Sequence, residues 1–289
     1  MIGYDGCVPR RRHRDLARAV TLLCDFSVSA TQAAKRSADA TLVHNSPLAV
    51  LTRLTVTGPL QPRDLLDFVP VTAGGMSNLL GRLERDGLVT RRSGDTSDQR
   101  AVVVEVTDRG RDIVARVSNV IFASMATNEA LVKETIVALV ESGAAPGPIE
   151  LPETPSSAIR LAMGLSAVGV ALQRAIDARS QGRPSSDINA ELVLIVLLDQ
   201  GPCRPRRLAE LMGITSAGIS RLVDRSERNG FVQRSTEGVE TDGRSVAVSL
   251  TPAGLLHVES VLDRIAPHFD EFLGLLRLFM NELHSDDWR

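Results

Sequence analysis

Residues Ile214 to Val232 read "ITSAGISRLVDRSERNGFV", and this stretch decides the fold. Thr215 can cap a helix N-terminus through its hydroxyl oxygen. Ile219, Leu222 and Val223 then recur at the 3/4 spacing of one helical face, with Ser226 in the next position of that face. Asn229-Gly230 ends the helix, since glycine enters the left-handed region without a Cβ clash. Downstream, "FVQRS" and "SVAVSL" are two β-prone runs around a polar tip, and "TDGRSVAVSLTPAG" (Thr241 to Gly254) closes on Thr-x-x-Gly. Upstream, Pro205 suits the first turn of a short helix reaching Leu211, followed by a tight turn at Met212-Gly213. Before that, Leu192 to Leu198 reads as a buried helix that stops at Gly201-Pro202.

The chain contains this arrangement twice. An offset of 143 residues, which lays Gly87 on Gly230, aligns "TAGGMSNLLGRLERDGLV" (Thr72 to Val89) with Thr215 to Val232. Gly58-Pro59, Pro62 and Leu65 fall on Gly201-Pro202, Pro205 and Leu208. The spacing predicts a buried helix over Leu48 to Val56, a short helix from Pro62 through Phe68, a turn at Val69-Pro70 and a helix capped by Thr72. The apolar stripe of that last helix is Met76, Leu79, Leu80 and Leu83. Past the hairpin tip the offset becomes 144, because "SDQRAVVVEVTDRG" (Ser97 to Gly110) lies one residue closer, so one residue has entered the second tip, where a loop tolerates it. A period this long marks a duplicated domain, not a solenoid. Helix, turn, helix and β-hairpin, in this order, make a winged helix-turn-helix.

At 289 residues the chain has room for two domains, and with 43% hydrophobic but only 3% aromatic residues its cores must be aliphatic. Acidic and basic residues number 35 and 33, so net charge neither demands nor excludes a nucleic acid. The only lysines are Lys35 and Lys133; the arginine excess suits phosphates and guanine edges, although a GC-rich genome gives the same bias. Cys7, Cys24 and Cys203 form no C-x-x-C, so neither a disulfide framework nor a zinc site is implied. The N-terminal residues lack a signal-type apolar core and no apolar run is long enough for a membrane span, so a cytoplasmic protein without a membrane partner is expected.

Long helical segments are predicted at Arg14 to Ala40, Asp108 to Glu141, Ser157 to Ser180 and Pro252 to Leu283. The last carries Val258, Val261, Leu262, Ile265, Phe269, Phe272, Leu273, Leu276 and Phe279, more than one monomer face usually needs, and reads as an interface helix. Between the copies "SGAAPGPIELPETPSS" (Ser142 to Ser157) reads as a linker. The expected domains are therefore residues 1–141 and 157–289, joined by 142–156. The fold class is mainly α with small β-hairpin wings (α+β).

Both copies resemble the multiple antibiotic resistance regulator (MarR) family of winged-helix transcription factors, over roughly residues 14–141 and 157–285. "ITSAGISRLVDRSERNGFV" followed by "TDGRSVAVSLTPAG" is the more typical string. The resemblance implies a regulator that binds a double-stranded DNA operator and releases it when a small-molecule effector binds. Family members are homodimers joined through their terminal helices, so it also implies that the two copies form an intramolecular pseudo-dimer, a monomer that binds as a dimer does. The other class kept open is a MarR-like ligand-binding or protein-interaction module without useful operator binding.

A recognition helix sets its outward N-terminal residues against base edges in the major groove. These are Thr72, Ala73, Gly74, Ser77 and Asn78 in the first copy, and Thr215, Ser216, Ala217, Ser220 and Arg221 in the second. Arg82 and Arg225 read as phosphate clamps or as partners of acids such as Asp224. Arg63, Arg206 and Arg207 open the preceding helix and read as backbone contacts or as a solvated face. The resemblance implies that the wing arginines, Arg100 and Arg244, enter the minor groove, with Asp98 and Asp242 holding the wing. Narrow minor grooves concentrate the negative potential a guanidinium senses; the plain alternative is a hairpin ion pair. The family often has a second wing arginine, where Ser97 and Thr241 stand here, and Gly74, Gly75 and Gly81 weaken the first helix at about 1 kcal/mol each. Peroxide sensors of the family carry a cysteine in the first helix supported by tyrosines. Here Tyr4 is the sole tyrosine, and Cys24 aligns with Ala167, as a small packing residue would. The basic stretch "PRRRHR" from Pro9 to Arg14 reads equally as a phosphate contact or a solvated arm. His13, His44, His257, His268 and His284 do not cluster, and there is no nucleophile elbow, Walker loop or dinucleotide fingerprint, so no metal, no cofactor and no enzymatic activity are expected.

Overall fold

The computed structural model describes residues 10–37, 45–69, 71–93, 102–148, 156–177, 188–235 and 246–284. In chain order the first elements are α1 (Arg11–Ser37), α2 (Asn45–Thr57), α3 (Pro62–Leu65), α4 (Ala73–Arg85), β1 (Val89–Ser93), β2 (Val102–Val106), α5 (Asp108–Thr127) and α6 (Glu129–Glu141). They are followed by α7 (Ser157–Asp177), α8 (Ile188–Gln200), α9 (Pro205–Met212), α10 (Ser216–Arg228), β3 (Val232–Ser235), β4 (Ala247–Leu250), α11 (Pro252–Ile265) and α12 (His268–Leu283). The chain is mainly helical with two antiparallel hairpins, as the sequence predicts, and it holds two winged helix-turn-helix units.

Two compact units form. One combines Met1–Val28, Glu129–Pro146 and Ala175–Leu273, and the other combines Ser29–Asn128, Gly147–Arg174 and Gly274–Arg289. Each winged helix is thus grouped with helical segments from both sequence repeats.

In the unit around residues 29–128, the core lies between α2, α4, β2 and α5. Leu51 and Leu54, Met76, Leu80 and Leu83, Val104 and Val106, and Ile113, Val114 and Val117 are all buried in one cluster. β1 pairs with β2 in the register Val89↔Val106 through Ser93↔Val102, and a bridge from Leu60 to Val104 adds a short third edge. In the unit around residues 175–273, β3 and β4 pair from Val232↔Leu250 to Ser235↔Ala247, with Cys203 bridging Val248 as Leu60 bridges Val104. There α1 is tied to α11: the buried His13 ring lies 3.1 Å from Glu259 by Nδ1 and 2.9 Å from Asp263 by Nε2.

Three predicted boundaries shift. The short helix of the first copy stops at Leu65, well before Phe68, because Val69-Pro70 offers no glycine C-cap; in the second copy α9 continues to Met212 and ends on Gly213 at φ +62°. Asp108 to Glu141 is two helices, broken at Asn128, whose amide side chain donates to the Ser124 carbonyl. Pro252 to Leu283 is also two helices, since Pro267 cannot continue the backbone ladder. The surplus apolar residues of that last segment, Val258 to Phe279, are buried within this chain, with Phe279 edge-on to Phe122 at 5.1 Å.

Candidate nucleic-acid interface

Both recognition helices start from the same cap. Thr72 Oγ1 accepts from the Gly75 amide at 3.1 Å and Thr215 Oγ1 from the Gly218 amide at 3.2 Å, which satisfies a donor the helix leaves open. Met76, Leu79, Leu80 and Leu83 anchor α4, and Ile219, Leu222, Val223 and Ser226 anchor α10. The opposite faces are open to solvent. Thr72, Ala73, Gly74, Ser77, Asn78 and Arg82 are exposed on one, and Thr215, Ser216, Ala217, Ser220, Arg221 and Arg225 on the other. Arg221 Nε donates back to the Ala217 carbonyl at 3.4 Å and Ser220 Oγ to the Ser216 carbonyl at 3.0 Å, so these side chains run along their own helix.

Arg63 is exposed beside Asp64 at 3.5 Å. Arg206 and Arg207 are exposed too, at 3.1 and 3.8 Å from the Glu210 carboxylate. Asp98, Arg100, Asp242 and Arg244 lie outside the described residues.

The helix-to-wing junction explains Thr-x-x-Gly. In the first copy Thr107 Oγ1 donates to the Gly87 carbonyl at 2.8 Å and accepts from the Gly110 amide at 3.1 Å, while the Thr107 amide donates to the Leu88 carbonyl at 3.0 Å. In the second copy Thr251 makes the same three bonds, to the Gly230 carbonyl at 2.6 Å, from the Gly254 amide at 3.0 Å and to the Phe231 carbonyl at 3.0 Å. One hydroxyl therefore caps the next helix and grips the left-handed end of the recognition helix, where Gly87 and Gly230 have φ +70° and +75°. The glycine is a space requirement: a Cβ on Gly110 would lie 2.3 Å from the Leu88 carbonyl oxygen, and one on Gly254 only 1.9 Å from that of Phe231.

Several partners escaped the sequence reading. Asp224, considered there as a partner for Arg82 or Arg225, is engaged by Arg234 of β3, 2.5 Å from its carboxylate; Arg234 also meets Glu227. These bonds, led by that to Asp224, hold the Arg234 guanidinium more firmly protonated than usual. The first copy pairs Arg91 with Glu84 at 3.6 Å. The signal was present, since Glu84/Arg91 and Glu227/Arg234 share the 143-residue offset. A second difference is internal: His257 stacks on Phe231 at 4.2 Å and lies 2.9 Å from Glu191, whereas the aligned Ile113, Leu88 and Leu48 are simply buried apolar residues.

The unit around residues 175–273 also has a groove of about 280 Å³, lined by Arg18, Thr21, Leu22 and Asp25 of α1, Glu134 of α6, Asp199 and Gln200 of α8, and Arg207 and Leu211 of α9. Arg18 bonds to Glu134, which, with Asp199 and Glu141 nearby, keeps its guanidinium firmly protonated. Cys24 behaves oppositely to a reactive thiol: burial, with Asp25 beside it, pushes it up to about 12. Among the described residues no cluster of His, Cys, Asp and Glu could hold a metal, and no helix is long and apolar enough to cross a membrane.

The comparison with known families agrees with this geometry. Residues 192–245 match the model of the MarR family, and residues 45–110 that of a winged helix DNA-binding domain. The MarR match thus lies in the second winged helix, and the first carries the broader winged-helix match. The chain is a winged-helix DNA-binding regulator. Similar solved structures include a probable transcriptional regulator from Pseudomonas aeruginosa, 28% identical over 39% of this chain and 90% of that one, with a TM-score of 0.31. Another is Bordetella bronchiseptica BpsR, whose DNA binding is regulated by 6-hydroxynicotinic acid; it is 20% identical over 48% of this chain and 100% of its own, with a TM-score of 0.34. No curated protein matches. In each winged helix, α4 and α10 hold the recognition-helix position, and the hairpins β1–β2 and β3–β4 the wing position.

Proposed function

We propose that this chain is a MarR-type, ligand-responsive repressor that works as a fused pseudo-dimer, one chain covering both halves of an imperfect palindrome. The observation that carries this reading is the pair of recognition helices, identically capped but with different outward residues, in one polypeptide. The grouping of each winged helix with segments of both repeats supports an intrachain partnership of the kind homodimers make between chains. Thr72, Ala73, Gly74, Ser77 and Asn78 then face one half-site, and Thr215, Ser216, Ala217, Ser220 and Arg221 the other. Arg82, Arg225, Arg63, Arg206 and Arg207 serve the phosphates, and Arg100 and Arg244 reach the minor grooves, steadied by Asp98 and Asp242. The groove beside α9 suits an effector, because α9 leads directly into α10. The chain performs no catalysis.

Asn pairs best with adenine N6/N7 and Arg with guanine O6/N7, each good bidentate pair contributing about 1–3 kcal/mol of discrimination. Selection from a random DNA library should therefore return two unequal half-sites about one helical turn apart, with more guanine contacts in the half read by Arg221. Light scattering should give the 31.1 kDa of a single chain, binding DNA one to one. Identical half-sites, or a stable particle of twice that mass, would overturn the reading.

The second reading, a MarR-like module with weak or lost operator binding, is favoured by Gly74, Gly75 and Gly81 in α4. Failure to enrich any DNA sequence in the same selection would establish it.

A further inference from the structure

The two wings are fastened differently. On α10, Asp224 and Glu227 stand one turn apart, and Arg234 reaches back from the first strand of the wing to both carboxylates. A planar guanidinium can take two carboxylates in a fixed geometry, which a lysine cannot. The first copy keeps only half of this device: Glu84 and Arg91 stand 3.6 Å apart, but Gly81 occupies the position of Asp224. There the wing is stitched across its own strands instead, by Arg92 and Glu105 at 3.1 Å. In the second wing the aligned residues are Ser235 and Ser249, which carry no charge to form that ion pair.

We propose that Arg234 is a positioning residue that locks the second wing to its recognition helix, so that the helix and the wing tip carrying Arg244 meet the operator as one piece. The inference rests on the DNA-binding reading above. Two carboxylates on an exposed recognition-helix surface would repel phosphates, and Arg234 offsets one of the two charges while setting the angle of β3. Isolated surface pairs contribute little. Here one guanidinium joins two elements through two acids, so breaking either side releases the same joint.

The test compares Arg234→Ala, Arg234→Lys, Asp224→Asn/Glu227→Gln and the combined variant, with Arg91→Ala alongside, on an operator chosen by selection. Arg234→Ala and the acid-neutralised variant should each weaken binding about fivefold, equivalent to roughly 1 kcal/mol. Their combination should be no weaker than either, Lys should not rescue, and Arg91→Ala should change affinity less than about twofold. Sequence preference should relax only in the half-site read by α10. Hydrogen exchange of β3 and β4 in the DNA-free protein should quicken in Arg234→Ala and in the acid-neutralised variant. If the acid-neutralised variant binds tighter than native while Arg234→Ala binds weaker and loses about one unit of salt slope, Arg234 is a direct phosphate contact and the proposal fails. Unchanged exchange in β3 and β4 also overturns it. Faster exchange in Arg234→Ala, together with a native chain that binds no DNA, would leave the clamp standing and remove the DNA-binding reading alone.

Discussion

Replacing Gly254 by alanine tests the account of the helix-to-wing junction. Alanine is normally the better helix residue by about 1 kcal/mol. At Gly254, however, the added Cβ would lie 1.9 Å from the Phe231 carbonyl oxygen, which belongs to backbone that cannot rotate away. Ordinary carbon–oxygen contact needs well over an ångström more, so the start of α11 must move off the end of α10. That movement breaks the Thr251 amide bond to Phe231 and the Thr251 hydroxyl bond to Gly230, 3.0 and 2.6 Å long. Two such bonds at about 1 kcal/mol each, plus about 1 kcal/mol for a disturbed N-cap, outweigh the propensity gain and leave a net loss of about 2 kcal/mol. In thermal unfolding that is a fall of roughly 4–8 °C, read on the first transition because two units need not melt together. Gly81→Ala is the matched control: a Cβ there meets nothing within 4 Å, so the same chemical change should stabilise by up to about 1 kcal/mol. A Gly254→Ala protein as stable as native would refute the steric reading of Thr-x-x-Gly.

Cys24, with its thiol pushed up to about 12, should resist iodoacetamide at pH 8 in the folded protein and react readily once unfolded, as resolved by peptide mass spectrometry. Because the folded thiol ionises at higher pH than the unfolded one, whose ordinary value is 9.0, Cys24 should also lower stability as pH rises from about 9 toward 12. Fast labelling of native Cys24 at neutral pH would instead point to a redox role. For the wings, Arg244→Ala should weaken operator binding at least about tenfold, on the order of 1.4 kcal/mol, and flatten its salt dependence by about one unit. Unchanged binding in both Arg100→Ala and Arg244→Ala would refute the minor-groove assignment.

What the sequence by itself determined is the local layer. The caps at Thr72 and Thr215, the repeated Thr-x-x-Gly pattern, the apolar stripes of α4 and α10, the left-handed glycines and the hairpins all depend on neighbours three or four positions away, or on strands joined by one short tip. Such interactions leave a period in the chain, and the duplication displayed each signal twice. The tertiary structure alone decided what depends on residues far apart. His13 against Glu259 and Asp263, Arg18 on Glu134, and Glu191 behind His257 join segments separated by 66 to 250 positions, and no spacing rule links them. The grouping of helical segments from both repeats around each winged helix is of the same kind. Apolar burial is non-directional, so a stripe of leucines records that a helix is covered without recording which helix covers it.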